Sequence, residues 1–346
     1  MFNTINYQNQ RIENCFNQAY LMIKNNFPEL LLKTDQSSFV KNQIDQKAYD
    51  YKVNYSKESL AFNQAYFLKN LYKCLIALTY LDQYNLLQKQ PICDIGCGGG
   101  CFTLAYQLVF GRVDANLIDK SSSQLAIAKQ ICTDFNVSFC NCDLSSDILN
   151  NQNLNLYSYS LGEQSDIKNT NLGDNLLLID YPEVIESFVQ CNKDNYMFFC
   201  CKCSTILDES SSGLIHENNL EVNFCLAVSK KYLVNQYFEI WNNYQTDKLQ
   251  DLFANKLVYN ICPKNKSLNS IDMIKEYWLL NSVRQSDLKL YYKIINQENN
   301  LAKVSFIAHF YDIIKSQKIL VDGIMTLHFD FNKIVVLEEF YKKYTI

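Results

Sequence analysis

The run Pro91-Ile-Cys-Asp-Ile-Gly-Cys-Gly-Gly-Gly-Cys101 decides how the larger part of this chain is read. The sequence holds only nine glycines, and four of them (Gly96, Gly98, Gly99 and Gly100) fall here. Glycine reaches positive φ and lets another backbone come close. A chain so poor in glycine is concentrating that property in one loop. The apolar residues 91–95 in front of the loop predict a buried strand, and Cys101 to Val109 behind it has helical length and spacing. Strand, glycine loop and helix, in that order, open an α/β unit whose helix N-terminus faces a ligand.

The alternation continues outward. Residues 116–119 predict a second strand, and 121–135 a helix whose leading serines suit N-capping. Residues 137–142 predict a third strand ending at Asp143, 154–160 a fourth and 175–180 a fifth. Residues 196–200 and 221–229 are the candidates for a closing pair. The expected fold is a mostly parallel sheet with helices on both faces. Upstream, residues 56–84 carry Leu60, Phe67, Leu71, Leu75 and Leu78 at helical spacing, a cap for that sheet. From about Val234 the pattern changes. Residues 236–255 and 273–280 predict helices, and 288–295, 302–314, 319–330 and 334–341 a curved antiparallel meander. The expected organisation is a helical cap over 1–85, an α/β domain over 86–232 and an α+β domain over 233–346.

Composition narrows the function. The chain of 346 residues is 48% hydrophobic and 20% charged, which places it among globular proteins. A net charge of −4 excludes a polybasic grip on nucleic acid. No stretch is apolar enough to span a membrane, and residues 1–11 lack the apolar core of a signal peptide. Fourteen cysteines in such a chain are expected as reduced, buried thiols in the cytoplasm.

The spacing Asp94-x-Gly96-x-Gly98-x-Gly100 differs from the G-x-G-x-x-G of dinucleotide sites. An acidic residue before the first glycine disfavours a pyrophosphate and suits a cationic amino acid. With these residues, 91–229 resembles the class I S-adenosylmethionine-dependent methyltransferases, a Rossmann-like fold. The resemblance implies S-adenosylmethionine as cofactor. It implies that Asp94, Gly96, Cys97 and Gly98 surround the cofactor's amino acid part. Asp119, with Lys120 beside it, would take the ribose hydroxyls, and Asp143, with Leu144, would face the adenine. The end of the fourth strand, Tyr157-Ser-Tyr-Ser-Leu-Gly-Glu163, departs from the Asn/Asp-Pro-Pro-Tyr/Phe motif of amino-methylating relatives. That departure argues against adenine or glutamine as acceptor. The same segment, with Ala65-Tyr-Phe-Leu-Lys-Asn-Leu-Tyr72, is similar to a methyltransferase-like family of small-ribosomal-subunit assembly. Two readings follow: a methyltransferase for a small-molecule acceptor, or a non-catalytic or ribosomal-RNA-directed methyltransferase-like factor of small-ribosomal-subunit assembly. No catalytic base is assignable.

Cys200, Cys201, Cys203 and Cys225 lack a complete metal-ligand pattern, so no metal is expected. The C-terminal region resembles the SnoaL-like branch of the nuclear-transport-factor-2-like superfamily. The resemblance rests on 237–254, 270–278 and 329–341. It implies a cone with a curved sheet around a pocket, and a homodimer. Within it His309, Asp312 and His328 are the candidate bases, and Tyr259, Tyr277 and Trp278 candidate pocket walls. Ile319, Val321 and Val336 are the expected dimer contacts.

Overall fold

The computed structural model describes residues 2–46, 51–143, 153–160 and 172–346. The chain divides into two compact units, Met1–Cys191 with Cys200–Leu226, and Asn192–Phe199 with Ala227–Ile346.

In chain order the first unit contributes β1 (Asn3–Asn6), α1 (Gln10–Asn26), α2 (Asp35–Asp45), α3 (Tyr55–Gln83), β2 (Ile92–Ile95), α4 (Cys101–Phe110), β3 (Ala115–Asp119) and α5 (Ser122–Ile131). Then come β4 (Val137–Asn141), β5 (Leu154–Ser158), β6 (Asn175–Ile179), α6 (Pro182–Asn192), β7 (Tyr196–Ile206), α7 (Glu209–Ile215) and β8 (Asn219–Ser229). The strands order as β1-β7-β8-β6-β5-β2-β3-β4. The pairs β2–β3, β3–β4, β2–β5 and β5–β6 are all parallel. Strand order therefore reverses between β2, which leads out to β3 and β4, and β5, which leads out to β6. In open parallel sheets a ligand crevice forms at that reversal, outside the carboxyl ends of the strands.

The short apolar runs became strands because both faces are covered, and β2 and β6 are buried at every residue. The helix read upstream is α3, which buries Phe67, Leu71, Leu75 and Leu78. Leu60 stands outside that stripe and is exposed, while Ala61 and Asn63 take the buried positions. Strand β1 was not expected. It is four residues of Asn-Thr-Ile-Asn, too short and polar to show a period, and it pairs in parallel with β7 from Asn3↔Cys201 to Asn6↔Ser204.

The second unit adds α8 (Lys230–Asn242), α9 (Leu249–Leu252), β9 (Phe253–Ile261), β10 (Lys266–Leu268), α10 (Ile271–Ser282), β11 (Gln285–Glu298), β12 (Leu301–Asp312), β13 (Gln317–Asp330) and β14 (Lys333–Thr345). Its sheet orders as β10-β9-β14-β13-β12-β11, antiparallel from β11 to β14, with β14 and β9 parallel. The helical reading of 236–255 ran too far: its last residues, Phe253 to Asn255, already belong to β9. Tyr237, Phe238, Trp278, Phe306 and Leu327 are buried together in the core of this unit.

Two further departures have clear causes. The units divide at Leu226/Ala227 and not at 232/233, and β8 runs into α8 through Ser229, whose Oγ accepts the Tyr232 N–H at 2.9 Å. Buried Lys230 donates to the Lys193 and Asp194 carbonyls at 3.1 and 2.8 Å, tying the 192–199 segment to the second unit. The other departure concerns facing. Ile319 and Val321 are 2% and 8% exposed and point to the core, so Leu320, Asp322 and Ile324 form the outer row of β13. A β-bulge at His328/Phe329 interrupts the simple alternation of β13 against β14, and Val336 is half-buried.

Candidate functional site

The glycine loop is fastened to its neighbours by backbone bonds. The amides of Gly96 and Cys97 donate to the Ile118 carbonyl at 2.9 and 3.1 Å. The Gly98 amide donates to Asp119 Oδ2 at 2.9 Å, and the Ser121 amide to Asp119 Oδ1 at 2.8 Å. Gly96 has φ +66°, and a Cβ there would lie 2.7 Å from Ser160 Cβ. A Cβ on Gly99 would lie 2.3 Å from Asn63 Oδ1, so α3 rests directly on the loop. These two approaches explain why the loop must be glycine.

Beside the loop, at the reversal of strand order, lies a cavity of about 470 Å³. That is within the usual range for a small-molecule or cofactor site. Gly96, Cys97, Gly98, Asp119, Lys120 and Asp143 all line it. Leu144 lies outside the described residues. Burial raises the Asp119 carboxyl above its ordinary range, against the Ser121 and Gly98 amides that favour its ionised form. Burial pushes the Cys97 thiol up as well.

Asp94 does not line the cavity. It is 1% exposed, and its Oδ2 accepts from the Thr103 amide at 3.1 Å and the Thr103 hydroxyl at 2.7 Å. It therefore holds the first turn of α4, where acceptors for free amides are needed. Burial raises its carboxyl to about 7, against the two Thr103 bonds.

The cavity has further walls, partly from the 65–72 and 157–163 segments that the sequence singled out for a family likeness and not as a site. Phe62, Asn63 and Phe67 come from α3, and Ser158, Tyr159 and Ser160 from the end of β5. Asn63 is buried and donates to the Ser59 carbonyl at 2.8 Å and to Gln124 Oε1 at 2.7 Å. A buried asparagine inside a helix leaves no periodic signature, so only the packing reveals it. Tyr159 has φ +53°, an uncommon conformation for a side chain of its size. Its hydroxyl accepts from Lys73 Nζ at 3.0 Å, and the Tyr181 ring meets it edge-on at 5.5 Å. Burial, then Lys69, lowers the Lys73 ammonium to about 8.

The second unit holds a separate cavity of about 100 Å³. Tyr259, Tyr277 and Trp278 line it, as the sequence suggested, and so does Asp312. Asp312 is 1% exposed, and burial raises its carboxyl, yet the Lys315 amide, Arg284 and Lys343 outweigh that and hold it low. A base needs the opposite shift. His309 and His328 are half-buried on the other face of β12 and β13 and do not line the cavity. The carboxyl that burial does raise is Glu339, which accepts from the Tyr259 hydroxyl at 2.7 Å. The sequence held one clue to it: Glu339 alternates with buried Leu337 on β14.

The clustered cysteines pair thiol to thiol, Cys200 with Cys225 at 3.3 Å and Cys201 with Cys203 at 3.6 Å. Among the described residues no group of three acidic, His or Cys side chains is placed to hold a metal. None of the described helices is long and apolar enough to cross a membrane.

No protein-family model and no curated protein matches this sequence. Solved structures do. An NTF2-like protein of unknown function from Exiguobacterium sp. 255-15 is 16% identical, covering 32% of this chain and 98% of its own, at a TM-score of 0.29. A protein with a ketosteroid isomerase-like fold from Catenulispora acidiphila DSM 44928, solved with trimethylamine, is 11% identical, covering 32% and 85%, at 0.30. A SnoaL-like protein from Shewanella putrefaciens CN-32 is 8% identical, covering 32% and 78%, also at 0.30. These are likenesses to NTF2-like and SnoaL-like folds over 32% of the chain, and at such TM-scores nothing about activity follows from them.

Proposed function

We propose that the first unit is a Rossmann-like, S-adenosylmethionine-dependent methyltransferase acting on a small metabolite. The observation that carries this reading is the position of Asp119. Its carboxylate lines the cavity at the strand-order reversal, beside a glycine loop that no larger residue can replace. The residues present fit the cofactor. Gly96 and Gly98 bring bare backbone to the cavity wall, and Asp119 keeps lone pairs beyond those taken by Gly98 and Ser121. A carboxylate so placed accepts from a pair of ribose hydroxyls. Asp143, after β4, also lines the cavity and suits an exocyclic amine, and Phe62, Phe67 and Phe102 add aromatic lining.

The cofactor, when bound, supplies a methyl group on a sulfonium. Displacement from a sulfonium depends chiefly on alignment and the exclusion of water. On the acceptor side, Tyr159 projects from the end of β5 into the cavity lining with Lys73 behind it. Lys73 reaches the cavity only through Tyr159: its ammonium, lowered to about 8 by burial, donates to the Tyr159 hydroxyl and positions that ring. A second unit with its own cavity suits a further role toward a small molecule, and its exposed sheet face suits a homodimer. All fourteen cysteines are free thiols, which suits the cytoplasm.

Calorimetric titration of the full chain with S-adenosylhomocysteine tests the cofactor. Saturable one-to-one binding is expected, and a chain that ignores the ligand would reduce the unit to a scaffold. Labelled methyl transfer into extracts then tests the acceptor. Label in the low-molecular-weight fraction supports the small-metabolite reading, and label in ribosomal RNA replaces it with the ribosomal one.

A further inference from the structure

The cavity of the second unit is lined by that unit's residues alone, and it is built for a guest. At about 100 Å³ it holds roughly three waters' share of liquid volume, well below the range of drug-sized pockets. Any occupant is therefore small. Trp241, Trp278, Leu288 and Phe310 supply apolar wall, and Glu339 lines it from β14 with 5% of its surface exposed. Glu339 Oε2 takes the Tyr259 hydroxyl, while its other oxygen has no protein donor among the described residues. Burial favours the neutral form of this carboxyl, against the Tyr259 bond and the charge of Lys264. A neutral acid facing a cavity offers a guest a hydrogen bond without an opposing charge.

The remaining charges favour an anion. Lys264, Arg284 and Lys343 line the same cavity. Asp312 is the carboxylate set against them, 3.2 Å from Arg284 and 3.8 Å from Lys343. Two cations thus share one counter-charge. Lys264 donates to the Tyr277 hydroxyl at 3.0 Å and makes no ion pair among the described residues. The lining keeps a positive surplus whether or not Glu339 is protonated, which repels an ammonium guest and attracts a carboxylate. Arg284 and Lys343 are 43% and 40% exposed at the side chain, so they form the rim, whereas Trp278 at 1% forms the interior.

We infer that this cavity binds a short organic carboxylate, its charged end at the Arg284–Lys343 rim and its body between the aromatic walls. The full-length protein is titrated with butyrate, butylamine and inorganic phosphate as probes, by calorimetry and ligand-observed NMR. Butyrate should saturate one site, with butylamine and phosphate weaker by roughly tenfold or more. Arg284→Gln and Lys343→Gln each remove one of the two cations beside buried Asp312. Both should weaken butyrate roughly tenfold and lower the melting temperature, so binding is read well below that temperature, where circular dichroism shows the protein folded. Glu339→Gln keeps a neutral hydrogen-bonding group and should bind butyrate within roughly threefold of wild type. Butylamine or phosphate binding as tightly as butyrate would overturn the assignment. So would butyrate binding unaffected by both rim substitutions, loss of butyrate binding in folded Glu339→Gln, or no saturation of the wild-type protein at about 10 mM butyrate. The outcome is independent of the S-adenosylhomocysteine titration, because the two probes report on different units.

Discussion

The Gly98 amide donates to the Asp119 carboxylate at 2.9 Å, joining the glycine loop after β2 to the tip of β3. The second oxygen of Asp119 accepts the Ser121 amide at the start of α5. One side chain thus sets the distance between two strand ends and presents its remaining lone pairs to the cavity. Desolvation works against its charge, and the two amides offset part of that cost.

Removal of that carboxylate should separate its two roles. Asp119→Ala is expected to weaken S-adenosylhomocysteine binding by about 1.5–3 kcal/mol for each charged hydrogen bond lost. Asp119→Asn keeps one acceptor oxygen and should fall between alanine and wild type. Calorimetry on both variants decides this, and undiminished affinity in the alanine protein would remove Asp119 from the site.

Two glycines give opposite expectations for the same substitution. A Cβ at Gly99 would meet Asn63 Oδ1 at 2.3 Å and Phe67 at 3.3 Å, both on α3. Gly99→Ala should destabilise by about 1–3 kcal/mol, as overpacking does, and loosen α3 from the loop. Gly213 lies in the exposed face of α7 with nothing within 4 Å of its would-be Cβ. Gly213→Ala should stabilise by about 0.5–1 kcal/mol through helix propensity. Urea unfolding of the two variants compares them directly; equal effects would contradict the packing of α3 on the loop.

How far the sequence foretold this architecture depended on how local each cause was. The loop at Gly96–Gly100 was legible because positive φ and close approach leave glycines in the sequence, and Asp119 and Asp143, named through the methyltransferase resemblance, both line the cavity beside it. Asp94 stood in the same motif, but its bond to Thr103 depends on the first turn of α4, so its role was read as ligand contact. Asn63, Tyr159 and Lys73 come from distant segments and meet only after the sheet has formed. The facing of Ile319 and Val321 was misread although the period-2 pattern held the answer: their row continues through Met325, Leu327 and Phe329, while the other row carries Lys318, Asp322, Thr326, His328 and Asp330. Glu339 was passed over since it directly follows Glu338, and adjacent acids in a strand give by themselves no sign of which one is turned inward.

Asp94 gives a pH signature. Its carboxyl rises from 3.8 to about 7 in the folded state, so the native protein holds the proton more tightly than the unfolded chain. The stabilisation is complete below the unfolded value and is lost as pH climbs through about 7. Its size is on the order of a few kcal/mol. Asp94→Asn keeps an acceptor for Thr103 and removes the titration. Urea midpoints at about pH 5 and about pH 8 should diverge more in wild type than in the variant. Parallel curves for the two proteins would show that Asp94 does not carry the effect.

The outer face of the second sheet predicts self-association through residues other than those the sequence proposed. Tyr291 at 59% exposure stands opposite Ile307 at 40%, and Ile324 at 40% opposite Phe340 at 50%. Cross-strand apolar pairs left in water lose the burial that makes such pairs stabilising. An isologous dimer covers them with the same patch from a second copy, and Asp322 beside Lys342 offers charges of both signs to its rim. The full chain should therefore run as a dimer by light scattering at micromolar concentration. Ile324→Lys places an ammonium at the centre of the patch and should give a monomer, while Ile319→Lys, buried at 2%, should unfold the unit instead. If wild type is already a monomer, this face is not a dimer interface; if Ile324→Lys remains a dimer, association occurs elsewhere on the chain.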